Sequence, residues 1–97
     1  MLINAVVKNE ALRNEQMIEQ YETQIAALPK GSLICRKGYF YLKYRKDGKI
    51  CDSYVGKDPA KVAEIREQLT LRKHCESMLS ALKMEQKKIR KILEGLA

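Results

Sequence analysis

The stretch that decides the fold runs Gly38-Tyr39-Phe40-Tyr41-Leu42-Lys43-Tyr44-Arg45-Lys46-Asp47-Gly48-Lys49-Ile50-Cys51-Asp52-Ser53-Tyr54-Val55-Gly56. Aromatic and β-branched residues crowd both sides of Asp47-Gly48. Asp-Gly between two such runs is a strong hairpin signal, because a two-residue type I′ turn needs positive φ at both central positions. The turn sets a register in which Lys46 faces Lys49, Tyr44 faces Cys51, Leu42 faces Ser53 and Phe40 faces Val55. Lys37-Gly38 supplies a second tight turn of the same kind, which adds Leu33 to Arg36 as a third strand.

Successive side chains of a strand point to opposite faces, so this register sorts the sheet into two surfaces. Leu33, Cys35, Phe40, Leu42, Tyr44, Cys51 and Val55 fall on an apolar face that must pack on a helix. Ile34, Arg36, Tyr39, Tyr41, Lys43, Arg45, Ile50, Asp52 and Tyr54 fall on the other, which is aromatic and basic together.

Outward from the sheet the period changes. Upstream, Val7, Ala11, Asn14, Ile18, Tyr21, Ile25 and Leu28 recur at steps of four and three along one stripe of a helix, with Glu, Gln, Asn and Arg between them. This predicts a helix over 4–27 that stops at Leu28-Pro29, since proline disfavours helical geometry in the residue before it. Downstream, Asp58 is placed as N-cap and Pro59 at the first helical position, where its missing N–H is no loss. No Gly or Pro follows until Gly95, which predicts a long helix over 59–94, about 54 Å at 1.5 Å per residue. Val62, Ile65 and Leu69 are its sheet-facing residues; Leu71, Cys75, Met78, Leu82, Glu85, Ile89, Ile92 and Leu96 then repeat at heptad spacing, widened by Leu79 and Leu93. Such a stripe points to antiparallel pairing with the first helix, to a coiled-coil homodimer through the helices, or to both.

The 97 residues therefore read as a single α+β domain, α-β-β-β-α, with a small antiparallel sheet over 33–56 inserted between two long antiparallel helices. Its formal net charge of +7 is concentrated. Residues 29–57 carry eight basic against two acidic side chains, whereas 1–28 are net negative. Four of the five tyrosines lie between 39 and 54. Cys35, Cys51 and Cys75 are odd in number and widely spaced beside a single histidine, which fits neither a zinc site nor a disulfide framework and suggests buried free thiols in a reducing cytoplasm. No signal-peptide core and no apolar run of the ~20 residues a membrane span needs is present.

Nothing in the sequence forms a catalytic constellation. His74 and Cys75 are adjacent on a helix and so do not face each other. The carboxylates are scattered among basic residues, and Gly31, Gly38, Gly48 and Gly56 are single turn glycines, so no enzyme activity, cofactor or metal is expected. The basic, tyrosine-rich face carries the functional expectation: cations neutralise phosphates while Tyr rings stack on exposed bases, and a β-ribbon also fits a DNA major groove. The residues assigned to nucleic-acid binding are Arg36, Lys37, Tyr39, Tyr41, Lys43, Arg45, Lys46, Lys49, Tyr54 and Lys57. The same residues have a plainer use as cross-strand pairs, Tyr41 with Tyr54 and Lys43 with Asp52. Lys87, Lys88, Arg90 and Lys91 read as a solvated helix end that complements the macrodipole.

Leu28-Pro29-Lys30-Gly31-Ser32, the run Gly38 to Lys49, and Ser53-Tyr54-Val55-Gly56-Lys57 also carry a resemblance. The chain resembles small proteins of Gram-positive bacteria and their mobile elements, in which a tyrosine-rich hairpin ending in a Tyr-Ile/Val-Gly-Lys-like signature precedes a long helix. Residues 31–57 are similar in kind to the three-stranded DNA-reading modules at the start of some phage integrases and transposases. This resemblance implies no catalytic residue. It implies a non-catalytic module that binds DNA or RNA, and, as the alternative, a phage-encoded inhibitor of the anti-CRISPR kind or an adaptor that engages a host nucleoprotein through its helical surface.

Overall fold

The computed structural model describes the backbone of residues 2–96 and the side chains of 5–96. Its order is α1 (Leu2–Ala27), β1 (Ser32–Arg36), β2 (Tyr39–Lys46), β3 (Lys49–Gly56) and α2 (Pro59–Leu96), so the chain is α+β with the expected α-β-β-β-α sequence of elements. Helix α1 starts two residues before the expected position 4, and α2 runs through Gly95 to Leu96. Two compact units result, one containing α1 up to Ala26 with α2 from His74, the other spanning Ala27–Lys73.

The Ala27–Lys73 unit is built around the sheet, in the order β1-β2-β3, antiparallel throughout. Both connections are two-residue turns with positive φ at each position, 53° and 81° at Lys37-Gly38 and 51° and 77° at Asp47-Gly48, which is the type I′ signature. Their register is Tyr41 to Tyr54, Lys43 to Asp52, Tyr44 to Cys51 and Lys46 to Lys49, as the turn chemistry requires. At the far end the expected pair fails. Phe40 faces Gly56, not Val55, because β3 carries one extra residue where the register shifts between Phe40 and Tyr41.

Leu33, Phe40, Leu42, Tyr44, Cys51 and Val55 are half-buried on the apolar face. Above them Val62 is buried, Ile65 and Leu69 are half-buried, and the Arg66 guanidinium sits 5.7 Å from the centroid of Phe40, so the first turns of α2 cover this face. Cys35 is an exception: it lies on the outer strand β1 and is exposed, Cys51 is only half-buried, and Cys75 alone is buried, all three as free thiols. The α2 start matches its sequence signature, with Ala60 N donating to Asp58 Oδ1 at 3.0 Å and Val62 N to Asp58 O at 3.0 Å. At the end of α1, Arg72 Nη1 donates to the Leu28 carbonyl at 2.8 Å and satisfies an acceptor that the interrupted helix leaves open.

In the helical unit Asn14 meets Leu82 while Gln24 meets Cys75, so residue numbers rise on one helix as they fall on the other and the pair is antiparallel. The α1 stripe is as the periodicity places it, with Asn14 buried and Val7, Ala11, Ile18, Tyr21 and Ile25 half-buried. The α2 seam is the expected one in part: Cys75 and Leu82 are buried, Met78 and Ile89 are half-buried, Leu79 and Leu93 widen the stripe and Gln86 joins it. Leu71, Ile92 and Leu96, by contrast, are 47, 51 and 44 % exposed, and Glu85, also exposed, accepts from Asn14 Nδ2 at 3.4 Å. Lys87, Lys88, Arg90 and Lys91 are exposed, but the last turn of α2 holds no basic residue, so this cluster does not serve the helix terminus.

Gly31, with φ near +121°, approaches β2 so closely that a Cβ there would fall on the Lys43 carbonyl oxygen. Gly38 has φ near +81° but open space around it. Gly31→Ala is therefore expected to lower stability by roughly 2–4 kcal/mol through strain and overlap, and Gly38→Ala by only about 1 kcal/mol. Urea unfolding followed by circular dichroism measures both; equal losses would contradict this ranking.

Candidate functional site

The face opposite α2 is assembled by the two turns. Reading across the strands, Arg36 lies beside Tyr39; Ile34, Tyr41 and Tyr54 form the next row; Ser32, Lys43 and Asp52 the third; Arg45 and Ile50 the last. Three of these side chains form one aromatic group. The Tyr54 ring stands 5.5 Å from Tyr41 at an interplanar angle of 67° and 6.2 Å from Tyr39 at 39°. Edge-on and tilted pairs of this kind contribute about 0.5–1.5 kcal/mol each beyond burial, so the group is a real element of the sheet and also an open one. Tyr54 is 62 % exposed and Tyr39 38 %, with Ile50 at 61 % on the same side.

The cations come from three places. Lys43 and Arg45 project from β2 and are exposed. Arg36, at the end of β1, reaches back across the sheet: its guanidinium lies 5.8 Å from the Tyr41 centroid and its Nη1 donates to Asp52 Oδ2 at 3.3 Å. The carboxylate that stands opposite Lys43 in the register is thus held by Arg36, two strands away. Lys57 arrives by a different route. The extra residue in β3 reverses the alternation after Tyr54, which turns Lys57 onto the aromatic side, where its ammonium sits 4.6 Å from the Tyr39 centroid. Gly56 makes this possible, with a φ of 111° that an L side chain rarely adopts.

Of the ten residues assigned from sequence, Arg36, Tyr39, Tyr41, Lys43, Arg45, Tyr54 and Lys57 meet on this one surface. Lys37 occupies the first turn beside it. Lys46 and Lys49 pair with each other next to the second turn and, by alternation, belong to the opposite side of the hairpin, so they are not members of the face. Ile34, Ile50 and Asp52 belong to the face by the same alternation but were not assigned to binding, and of these Asp52 joins the cations through Arg36. His74 is exposed on α2. Among the described residues no group of three or more His, Cys, Asp or Glu could hold a metal ion, and no helix is long and apolar enough to cross a membrane.

Comparison with known proteins adds one finding. No curated protein and no solved structure matches the chain. The pattern of a domain of unknown function, DUF6788, matches residues 10–67, a span that takes in most of α1, the whole sheet with every residue of the aromatic-basic face, and the first turns of α2. Because that match covers more than half of the 97 residues, the chain belongs to the DUF6788 family.

Proposed function

We propose that this protein is a non-catalytic nucleic-acid-binding module, whose contact surface is the exposed face of the sheet. The observation that carries this reading is the convergence of Tyr39, Tyr41 and Tyr54 with Arg36, Lys43, Arg45 and Lys57 on one side of three strands. Phosphates are met by cations and bases by rings, and here both lie within a single side-chain layer. A cross-strand stabilising role alone accounts less well for it, since Tyr54 and Ile50 are left some three-fifths exposed. The site lies wholly within the part of the chain that the family shares.

Asp52 has a place in this reading. An exposed ion pair contributes only about 0–1 kcal/mol, so a ligand phosphate competes readily with the Asp52 carboxylate for Arg36. The carboxylate keeps the guanidinium laid over Tyr41 until a phosphate replaces it.

Titrating a labelled oligonucleotide at several salt concentrations tests the proposal. Affinity is expected to fall steeply with salt, and the double variant Lys43→Ala/Arg45→Ala to reduce the slope of log K against log salt by about 2. Asp52→Asn is expected to act in the opposite direction and tighten binding roughly two- to five-fold, because it frees a cation and removes an opposing charge. Absence of binding at low salt would sink the reading. It would leave the inhibitor or adaptor that works through its helices, on which Leu12, Met84 and Ile92 are exposed.

A further inference from the structure

We infer that the ligand of this face is an extended single strand whose unpaired bases stack on Tyr54 and Tyr39, and not a duplex; the inference rests on the nucleic-acid reading above. Three observations lead to it. The first is what the rings expose. Tyr54 is 62 % exposed with no cation over its ring among the described residues, and Tyr39 is 38 % exposed with the Lys57 ammonium 4.6 Å from its centroid. Tyr41 is half-buried beneath the Arg36 guanidinium, so the two more exposed rings are on β3 and at the start of β2. In a duplex the base faces are stacked on each other and only their edges show in the grooves, which a tyrosine ring cannot use for stacking. Unpaired bases offer the faces that fit.

The second is spacing. The Tyr39 and Tyr54 centroids are 6.2 Å apart, and the rings belong to successive rows along the strands. Nucleotides of one duplex strand advance only about 3.4 Å, so neighbouring bases can reach both rings only if the strand is drawn out and their mutual stacking is broken. The third is reach. From Tyr39 to Arg45 the surface runs six residues of β2, about 20 Å, which accommodates about three nucleotides at that stretched spacing. Arg36 and Lys57 flank the rings at one end of this track and Lys43 and Arg45 continue it. These cations are placed to follow a backbone whose bases turn toward the sheet.

Fluorescence anisotropy at low salt decides the matter, using a 12-nucleotide pyrimidine single strand as DNA, the same strand as RNA, and the matching DNA duplex. One or both single strands are expected to bind at least about ten-fold more tightly than the duplex. Tyr54→Ala should weaken single-strand binding by roughly five- to 150-fold, the range measured when one base loses its stacking partner, and leave duplex binding unchanged. Tyr54→Phe should retain wild-type affinity, since the ring is kept and only the hydroxyl is lost. The chain holds five tyrosines and no tryptophan, so quenching of tyrosine emission by the single strand gives an independent reading of stacking. Thermal melts establish that the variants fold, as the 62 % exposure of Tyr54 leads one to expect. Equal or tighter duplex binding, or an equal loss on both ligands in Tyr54→Ala, overturns the stacking inference while nucleic-acid binding itself stands. Failure of all three oligonucleotides to bind overturns both.

Discussion

The positive φ angles of two dipeptides, Lys37-Gly38 and Asp47-Gly48, are the constraint from which the rest of the sheet follows. A two-residue type I′ turn fixes which residues stand opposite one another, and the alternation of strand side chains then fixes which face each takes. A slip of one residue in the pairing of β2 and β3 would exchange Tyr41 and Lys43 for Leu42 and Tyr44. The apolar layer under α2 and the aromatic layer opposite would both be lost. Lys37 and Asp47 hold left-handed conformations that cost an L residue about 1–2 kcal/mol each, and the register they enforce is what offsets that strain. The apolar layer and the aromatic-basic layer thus rest on the same four residues.

A second local device edits the result of the first. By adding one residue to β3, the chain changes the alternation after Tyr54 and delivers Lys57 to the side of Tyr39. The surface therefore owes its membership to backbone geometry, and its side chains are joined by weak links, tilted ring pairs and an exposed Arg36–Asp52 bridge. Links of about 1 kcal/mol hold groups in place without locking them.

Much of this was legible in the sequence, because turns, caps and periods are written in few residues. Asp47-Gly48 and Lys37-Gly38 announce the hairpins, Leu28-Pro29 ends α1, and Asp58-Pro59 opens α2, where the carboxylate accepts the Ala60 N–H. The bulge was not legible, since an extra residue leaves no change in composition; Gly56, with its φ of 111°, is the one trace of it. The α2 seam was legible at Cys75, Met78, Leu82 and Ile89, while Leu71, Ile92 and Leu96 of the same series are exposed and the half-buried Gln86 lies on the adjacent one. Hydrophobicity alone cannot choose between series a single residue apart. Cys35 belongs to the apolar face by alternation but lies on the strand at the sheet's edge, where little covers it. Of the site, the content of the face followed from parity except for Lys57, which the bulge delivers. The Arg36–Asp52 bridge did not follow from it, because it spans β2 diagonally and bypasses the direct neighbour Lys43.

Asn14 gives the helical pair something its oily neighbours cannot. It is 1 % exposed, and its Nδ2 donates to the Leu82 carbonyl at 2.9 Å and to Glu85 Oε1 at 3.4 Å, while its Oδ1 has no partner among the described residues. Leucine and isoleucine tolerate sliding from one heptad to the next with small loss, whereas a buried amide carried away from its acceptors loses about 1–3 kcal/mol. The residue works as an index mark between two otherwise slippery rods. A helical pair with so few buried apolar side chains among its described residues, Cys75 and Leu82, keeps a single alignment through one polar tooth rather than through the bulk of its core.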